Sequence, residues 1–177
     1  MAVKRDKRDL AKFLQCSSIL EEKVAAAYES FAERAQNPSI KPLLLFISYD
    51  SLKHSRILKM LGELIAETTV TTDECETMLG KAWMKSIFQA QKEAMKKETT
   101  EDNELASLID EMINFESFLG EEYLTILHLK TMQLIAMDPR IDQPNLKRIL
   151  VWIVEDEERH ELILTRIRAL TTTPKEE

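Results

Sequence analysis

The feature that most restricts the fold is a long stripe of apolar residues spaced three and four positions apart. Near the C-terminus the stripe comprises Leu146, Leu150, Ile153, Glu157, His160, Leu164 and Ile167. This spacing marks one face of an α-helix, and an apolar face has to be buried against other elements. Glu157 and His160 place a carboxylate and an imidazole one turn apart in the middle of that face.

The same pattern occurs on an earlier segment. The stripe there comprises Leu44, Ile47, Ser51, His54, Leu58, Leu61 and Ile65. When the two segments are aligned on their histidines, Asp50 matches Asp156 and several apolar positions coincide, which indicates an internal repeat. The alignment places Ser51 opposite Glu157, so the earlier copy has a hydroxyl where the later copy has a carboxylate.

Composition favours helix throughout, because only 3 of the 177 residues are glycine and 5 are proline. We predict one all-α domain over residues 1–177, with its core at about 7–170 and four long helices. These cover about 7–36, 40–69 and 102–136, and a segment that begins after residue 145. The crossover at about 70–103 contains an amphipathic helix at 78–97 that covers the bundle or binds a partner.

Charge and cysteine usage exclude several classes of protein. The net charge of −7 disfavours a nucleic-acid binder, and no apolar run approaches the ~20 residues of a membrane span. The N-terminus has no apolar run after its charged residues, so we expect no signal peptide. Cys16 and Cys75 are far apart without a Cys-x-x-Cys motif, which favours reduced thiols in a cytoplasmic protein over a disulfide or a zinc site.

Five ionisable residues lie on the otherwise apolar stripes of the four predicted helices: Glu21, His54, Glu116, Glu157 and His160. Glu21 precedes the Asn-Pro break by 16 residues and His54 follows it by 16, which puts both about 24 Å from the same turn. On the other two predicted helices, Glu116 and His160 differ by about 7 Å in their distance from the connection that joins those helices. A buried, unpaired carboxylate costs several kcal/mol, and a bound metal ion removes that cost.

Four further residues are placed to support such a site. Tyr28 and Tyr123 each follow a stripe glutamate by seven residues, so either can hydrogen-bond to a carboxylate across the core. Asp50 and Asp156 each precede a stripe histidine by four residues and are predicted to orient an imidazole. A lone core histidine is usually only hydrogen-bonded, and a lone glutamate can reach solvent; five such residues on four helices favour a metal site.

The pattern of Glu21, Ser51-Leu-Lys-His54, Glu116 and Glu157-Glu-Arg-His160 resembles the ferritin-like di-iron carboxylate superfamily, and rubrerythrins and bacterioferritins in particular. The resemblance implies an up-down-down-up four-helix bundle with two bound metal ions. Glu21 and His54 would hold one ion, Glu116 and His160 the other, and Glu157 would bridge them. The metal implied is iron, although manganese and zinc also accept this ligand set.

The chain departs from the family at two positions. Ser51 replaces a glutamate that bridges the irons, and Leu52 stands where bacterioferritins carry a haem-ligating methionine, so no haem is expected. The three remaining glutamates supply −3 against the +4 of two divalent ions. The consequences left open are weaker binding at His54, a single occupied site, or a charge supplied by hydroxide, a small anion or Asp50.

The resemblance implies a non-haem oxidoreductase that acts on peroxide or dioxygen and takes electrons from an external donor. We expect a cytoplasmic homodimer that contacts neither nucleic acid nor membrane. One alternative is a metal-sequestering protein with little turnover. The other is a helical bundle with a partly degenerate site that acts in protein interactions.

Overall fold

The structure, a computed structural model, describes residues 2–80, 102–118 and 143–172 and the isolated positions 85, 89, 92 and 95. Most of these residues are helical and none of them lies in a β-sheet, which confirms the all-α prediction. The helices are α1 (Ala2–Arg34), α2 (Lys41–Ile65), α3 (Thr72–Leu79), α4 (Asp102–Phe118) and α5 (Gln143–Thr172). None of the described helices combines the length and apolarity needed to cross a lipid bilayer.

The break between α1 and α2 comes at the Asn-Pro-Ser sequence. The side-chain oxygen of Asn37 accepts a hydrogen bond from the backbone N–H of Ser39 at 2.9 Å, and its carbonyl accepts one from Ile40 at 3.1 Å. This local turn competes with helical hydrogen bonding and ends α1. Pro42 then lies in the first turn of α2, where its missing N–H has no helical partner to lose.

Small residues spaced seven apart bring α1 and α2 close together. The hydroxyl of Ser48 donates to the carbonyl of Ala25 at 2.9 Å, and the hydroxyls of Ser18 and Ser55 lie 3.2 Å apart. One further step of seven along each helix leads to Ala11 and Gly62, where a Cβ on the glycine would lie 3.1 Å from the Ala11 carbonyl oxygen. Each step goes down α1 and up α2, so these two helices are antiparallel.

Helix α3 is tied to α1 by a covalent bond. A disulfide joins Cys16 to Cys75, with the two Cα atoms 5.3 Å apart, and Lys12 pairs with Glu74. The prediction of reduced thiols is therefore wrong, because separation along the chain does not limit proximity once the chain reverses direction. Disulfides are typical of oxidising compartments, so the cytoplasmic location loses the support of the thiols and stays a prediction.

The start of α3 has a complete capping box, in which Thr71 accepts from the backbone N–H of Glu74 and the Glu74 side chain accepts from the backbone of Thr71. Gly80 ends the helix with φ +86°, a conformation that favours glycine. The predicted helix at 78–97 therefore does not begin at residue 78. Of its predicted apolar side, Leu79 is buried in α3, Met95 is 80% exposed, and the other members lie outside the described residues.

The chain divides into two compact units. Unit 1 consists of Met1–Ser30 and Ile47–Lys96, and unit 2 of Phe31–Phe46 and Lys97–Glu177. In unit 2, α4 and α5 pack against each other, and Arg168 pairs with Asp110 at 2.7 Å on the surface. The buried apolar residues of this pair of helices are Ile109, Leu150, Ile153, Leu164 and Ile167.

Candidate metal centre

The stripe that carries Glu157 and His160 is the buried face of α5. Ile153 and Leu164, on either side of the pair along the helix, are 1% and 0% exposed, and the two polar residues are 2% and 0% exposed. Nδ1 of His160 lies 3.2 Å from Oε2 of Glu157, as expected for residues one helical turn apart. The helix thus carries an acid and an imidazole inside apolar packing.

Glu116 of α4 completes this cluster. Its Oε2 atom lies 3.7 Å from Nδ1 of His160, and its side chain is fully buried. One ligand atom from each of Glu116, Glu157 and His160 lies within 4.8 Å of the others. These three residues, which we call the α4–α5 group, all belong to unit 2, and the described residues thus bring together three of the five predicted ligands there.

Burial and mutual charge shift the protonation of the α4–α5 group. Burial and the neighbouring Glu157 carboxylate raise the pKa of Glu116 and outweigh the lowering by His160, so that the pKa is about 7. Burial lowers the pKa of His160, but the two carboxylates outweigh burial and raise it to about 11. Without metal, a protonated imidazole therefore balances the acids at neutral pH, and a metal ion has to displace that proton.

Two more predicted ligands meet in unit 1. Glu21 of α1 and His54 of α2 are 2% and 0% exposed, and a carboxylate oxygen and a ring nitrogen of the pair lie within 4.8 Å. The packing of small residues explains their common level, since Glu21 lies between Ser18 and Ala25 on α1. His54 directly precedes Ser55 on α2.

Ser51 lies one turn before His54 and is 1% exposed. We call Glu21, Ser51 and His54 the α1–α2 group. Within unit 1 this group has one carboxylate, that of Glu21, whereas the α4–α5 group of unit 2 has two. The two sets therefore differ by one negative charge when their acids are ionised, and the difference arises at the one position where the internal repeat changes from glutamate to serine.

Asp50 and Asp156 each form an ion pair with a basic residue on their own helix. Asp50 pairs with Lys53 and Asp156 with Arg159, in both cases three residues further along. The predicted role of the aspartates in orienting the histidines stays a prediction. Lys53 and Arg159 are not among the predicted residues, although both copies of the repeat share the spacing Asp-x-x-Lys/Arg-His, which indicates these ion pairs.

Of the two predicted tyrosines, Tyr28 lies among the described residues. Tyr28 is fully buried on α1, seven residues after Glu21, and hence about 10 Å along the helix axis. Its predicted hydrogen bond to a site carboxylate stays a prediction. Tyr123 lies outside the described residues.

The donor atoms of both groups fit a divalent first-row metal. Carboxylate oxygens together with imidazole nitrogens are ligands for iron, manganese and zinc, and their burial excludes competing water. The chemistry of the donor set does not select among these metals. Comparisons with protein-family models, curated proteins and solved structures found no match to the chain.

Proposed function

We propose that this protein is a non-haem di-metal carboxylate protein that acts as a rubrerythrin-like oxidoreductase on peroxide or dioxygen, with electrons from an external donor. The observation that carries the proposal is the α4–α5 group. Its two carboxylates and one imidazole are buried and have ligand atoms within 4.8 Å of one another. Unlike a single buried histidine or glutamate, this set provides three ligands for one ion.

The proposal includes a single ferritin-like domain with an up-down-down-up arrangement of α1, α2, α4 and α5. Support comes from the order of the helices, from the short turn between α1 and α2, and from the long segment between α2 and α4. A short turn requires antiparallel neighbours, whereas a long crossover permits parallel ones.

A second metal ion is proposed at the α1–α2 group, with Glu21 and His54 as its ligands. The resemblance further implies that Glu157 is shared by the two ions. Exchange coupling between two bound iron ions, measured by Mössbauer spectroscopy or by magnetic susceptibility, tests this sharing. Two ions without coupling would leave two separate mononuclear sites.

When bound, the reduced metal ions would supply the two electrons that, with two protons, convert hydrogen peroxide to two molecules of water. The residues of the chain hold the ions and keep bulk water out, since both groups lie among buried leucine and isoleucine side chains. His160 has to give up its proton before it can act as a ligand. Metal binding should therefore release protons.

Metal binding by wild-type protein and two matched variants tests the proposal. Glu157→Gln removes one carboxylate of the α4–α5 group and should weaken binding of the first Co²⁺ or Fe²⁺ ion by at least about 100-fold, which is the upper range for loss of a supporting residue. Glu158→Gln makes the same change at an exposed neighbour and should leave binding unchanged. Calorimetric titration under argon measures both. Equal affinity in the two variants would contradict the proposed site.

Metal sequestration with little turnover is the second candidate, and the buried Ser51 favours it, because a missing carboxylate weakens one half of a redox pair. Reduced, iron-loaded protein is mixed anaerobically with peroxide and an excess of reductant. Consumption of many equivalents of peroxide supports the oxidoreductase, and a single stoichiometric oxidation supports sequestration.

An interaction protein with a metal-free site is the third candidate. The raised pKa of His160 favours it, since an imidazolium already balances the buried acids. Less than one equivalent of bound metal at every loading would support this candidate against the other two. The expected homodimer stays a prediction, and sedimentation equilibrium measures it.

A further inference from the structure

The side of α2 that faces away from the buried stripe carries large apolar side chains in contact with solvent. Tyr49, Met60 and Leu64 are 62%, 67% and 60% exposed, whereas His54 on the opposite side is fully buried. Neighbouring exposed apolar residues on one helix face are typical of a contact surface. The α2 outer face, as we call it, comprises Tyr49, Lys53, Arg56, Met60, Glu63 and Leu64.

The charge of the α2 outer face changes sign along the helix. Arg56 lies one turn before Met60, and Glu63 lies almost one turn after it. The arginine and the glutamate are seven residues apart, beyond the spacing of three or four at which side chains of one helix pair. Among the described residues neither of them takes part in an ion pair. Lys53 adds a positive charge to the first half, although it pairs with Asp50.

We propose that the α2 outer face binds the same face of a second copy of this chain, with the two α2 helices antiparallel. In an isologous contact a residue before the two-fold axis lies opposite one that follows the axis by the same number of positions. An axis just before Met60 places Arg56 opposite Glu63 of the partner subunit, and Glu63 opposite the partner subunit's Arg56. A parallel contact would instead bring equal charges together.

The positions around the helix agree with this arrangement. Each residue turns the helix by about 100°, so Arg56 and Glu63 lie on the same side of Met60, about 20° apart, and Leu64 lies on the other side. A two-fold axis perpendicular to both helices preserves these sides. Leu64 therefore meets the level of the half-buried Ile57 and the aliphatic part of Lys53 on the partner helix. The same axis thus pairs opposite charges on one side and apolar groups on the other.

Composition and size determine what kind of contact to expect. Tyrosine, methionine and arginine are enriched in protein interfaces, and this face contains all three. One helix face from each copy is smaller than the interface of a stable complex, which buries at least about 1,200 Å² in total. The dimer should therefore be weak, reversible and further weakened by salt, because its ion pairs lie at the surface.

Sedimentation equilibrium of the metal-free full chain, from micromolar to submillimolar concentration at low salt, tests the inference. Wild-type protein should form dimers, and Met60→Glu should weaken dimerisation by about tenfold or more, because it places two carboxylates at the axis. Leu162→Glu is the matched control, since Leu162 on α5 is 68% exposed and lies on another helix. It should associate like wild type.

Reversal of the two charges tests the antiparallel pairing itself. Arg56→Glu and Glu63→Arg each place like charges opposite one another at two positions, so each should weaken dimerisation by about tenfold or more. The double variant Arg56→Glu/Glu63→Arg re-forms both opposite-charge pairs and should restore association. Both positions are exposed, and far-ultraviolet circular dichroism checks that each variant is folded.

Three results would overturn the inference. Wild-type protein that stays monomeric at every concentration has no such contact. Dimers that are lost in Leu162→Glu but retained in Met60→Glu use a surface of α5. Dimers that the double reversal does not restore do not pair α2 helices in the antiparallel arrangement. Because the protein is metal-free in these measurements, none of the outcomes depends on the proposed metal-binding function.

Discussion

The two units of the chain differ in the interactions that surround their candidate ligands. Unit 1 contains the disulfide, the close α1–α2 packing of small residues and the α1–α2 group with a single carboxylate. Unit 2 contains the α4–α5 group with two carboxylates and a raised histidine pKa. Close packing of small residues and a disulfide hold the helices of unit 1, whereas in unit 2 two carboxylates and an imidazole shift one another's pKa values.

Because of this difference, the effect of helix packing on stability can be measured in unit 1 and the effect of buried charge in unit 2. In unit 1, α1 and α2 are closely packed through Ser48, Ser55 and Gly62 with a serine, not a carboxylate, at position 51. In unit 2 the carboxylates and the imidazole depend on one another, so removal of one changes the protonation of the others. Stability should therefore respond to the disulfide in unit 1 and to the buried group in unit 2.

The largest expected effect is that of removing the disulfide. The double variant Cys16→Ser/Cys75→Ser opens a loop whose ends are 59 residues apart, and it should lose about 4 kcal/mol of unfolding free energy by chain entropy. Urea denaturation measures the loss, and hydrogen exchange should rise most in α3. Reduced wild-type protein is the control for the serine substitutions. Unchanged stability of both would show that noncovalent contacts alone hold α3.

The next largest effect is expected from the histidines in metal-free protein. His160→Gln leaves Glu116 and Glu157 buried together without a cation and should cost about 3 kcal/mol. His54→Gln is the matched change in the other group and should cost less, because within unit 1 this group has one carboxylate, that of Glu21, whereas the α4–α5 group has two. Denaturation at neutral pH in the presence of chelator compares the two variants. An equal or larger loss in His54→Gln would contradict the proposed contrast.

An effect of similar size is expected from pH. The folded protein raises the pKa of Glu116 from 4.5 to about 7 and that of His160 from 6.5 to about 11. Each group thus stabilises the fold fully below its unfolded value and loses that contribution as pH rises through its folded value. The unfolding free energy of metal-free protein should therefore fall as the pH rises from about 4.5 to about 7 for Glu116, by about 3 kcal/mol, and should fall further up to about pH 11 for His160.

Glu116→Gln isolates the contribution of that carboxyl group. The variant should gain stability relative to wild type as pH rises from about 5 to about 8, because it has no proton to lose there. Glu111→Gln, at an exposed position of the same helix, should follow the wild-type curve. A pH dependence in Glu116→Gln identical to that of wild type would show that the carboxyl group ionises normally in the folded protein.

The smallest effect is expected at the surface of unit 2. The side chains of Arg168 and Asp110 are 54% and 45% exposed in their ion pair, so Arg168→Ala should cost at most about 0.5 kcal/mol. Arg166→Ala, an exposed arginine on the same helix, is the matched control. Thermal unfolding compares the two. A loss as large as that of His160→Gln would mean that the surface pair, and not the buried group, dominates the stability of unit 2.

Local patterns made the helices and their polar interruptions predictable. The Asn-Pro-Ser break and Pro42 marked the turn between α1 and α2, and the repeat containing Asp156 and His160 marked the buried face of α5. The boundary at Gly80 was missed, because apolar spacing continues across it and only the backbone conformation, φ +86°, shows where α3 ends. The disulfide was not predicted, because no local sequence pattern connects Cys16 with Cys75.

The amino-acid sequence by itself determined an all-helical chain with acids and histidines on buried faces, because helix propensity and apolar periodicity act over a few neighbouring residues. Tertiary structure alone decided which of those residues meet and what charge they carry. Glu116 reaches His160 only when α4 packs against α5, and the pKa values of both follow from the resulting burial and proximity. Distances between helices and exclusion of water are properties of the folded chain, and they set the chemistry available to this protein.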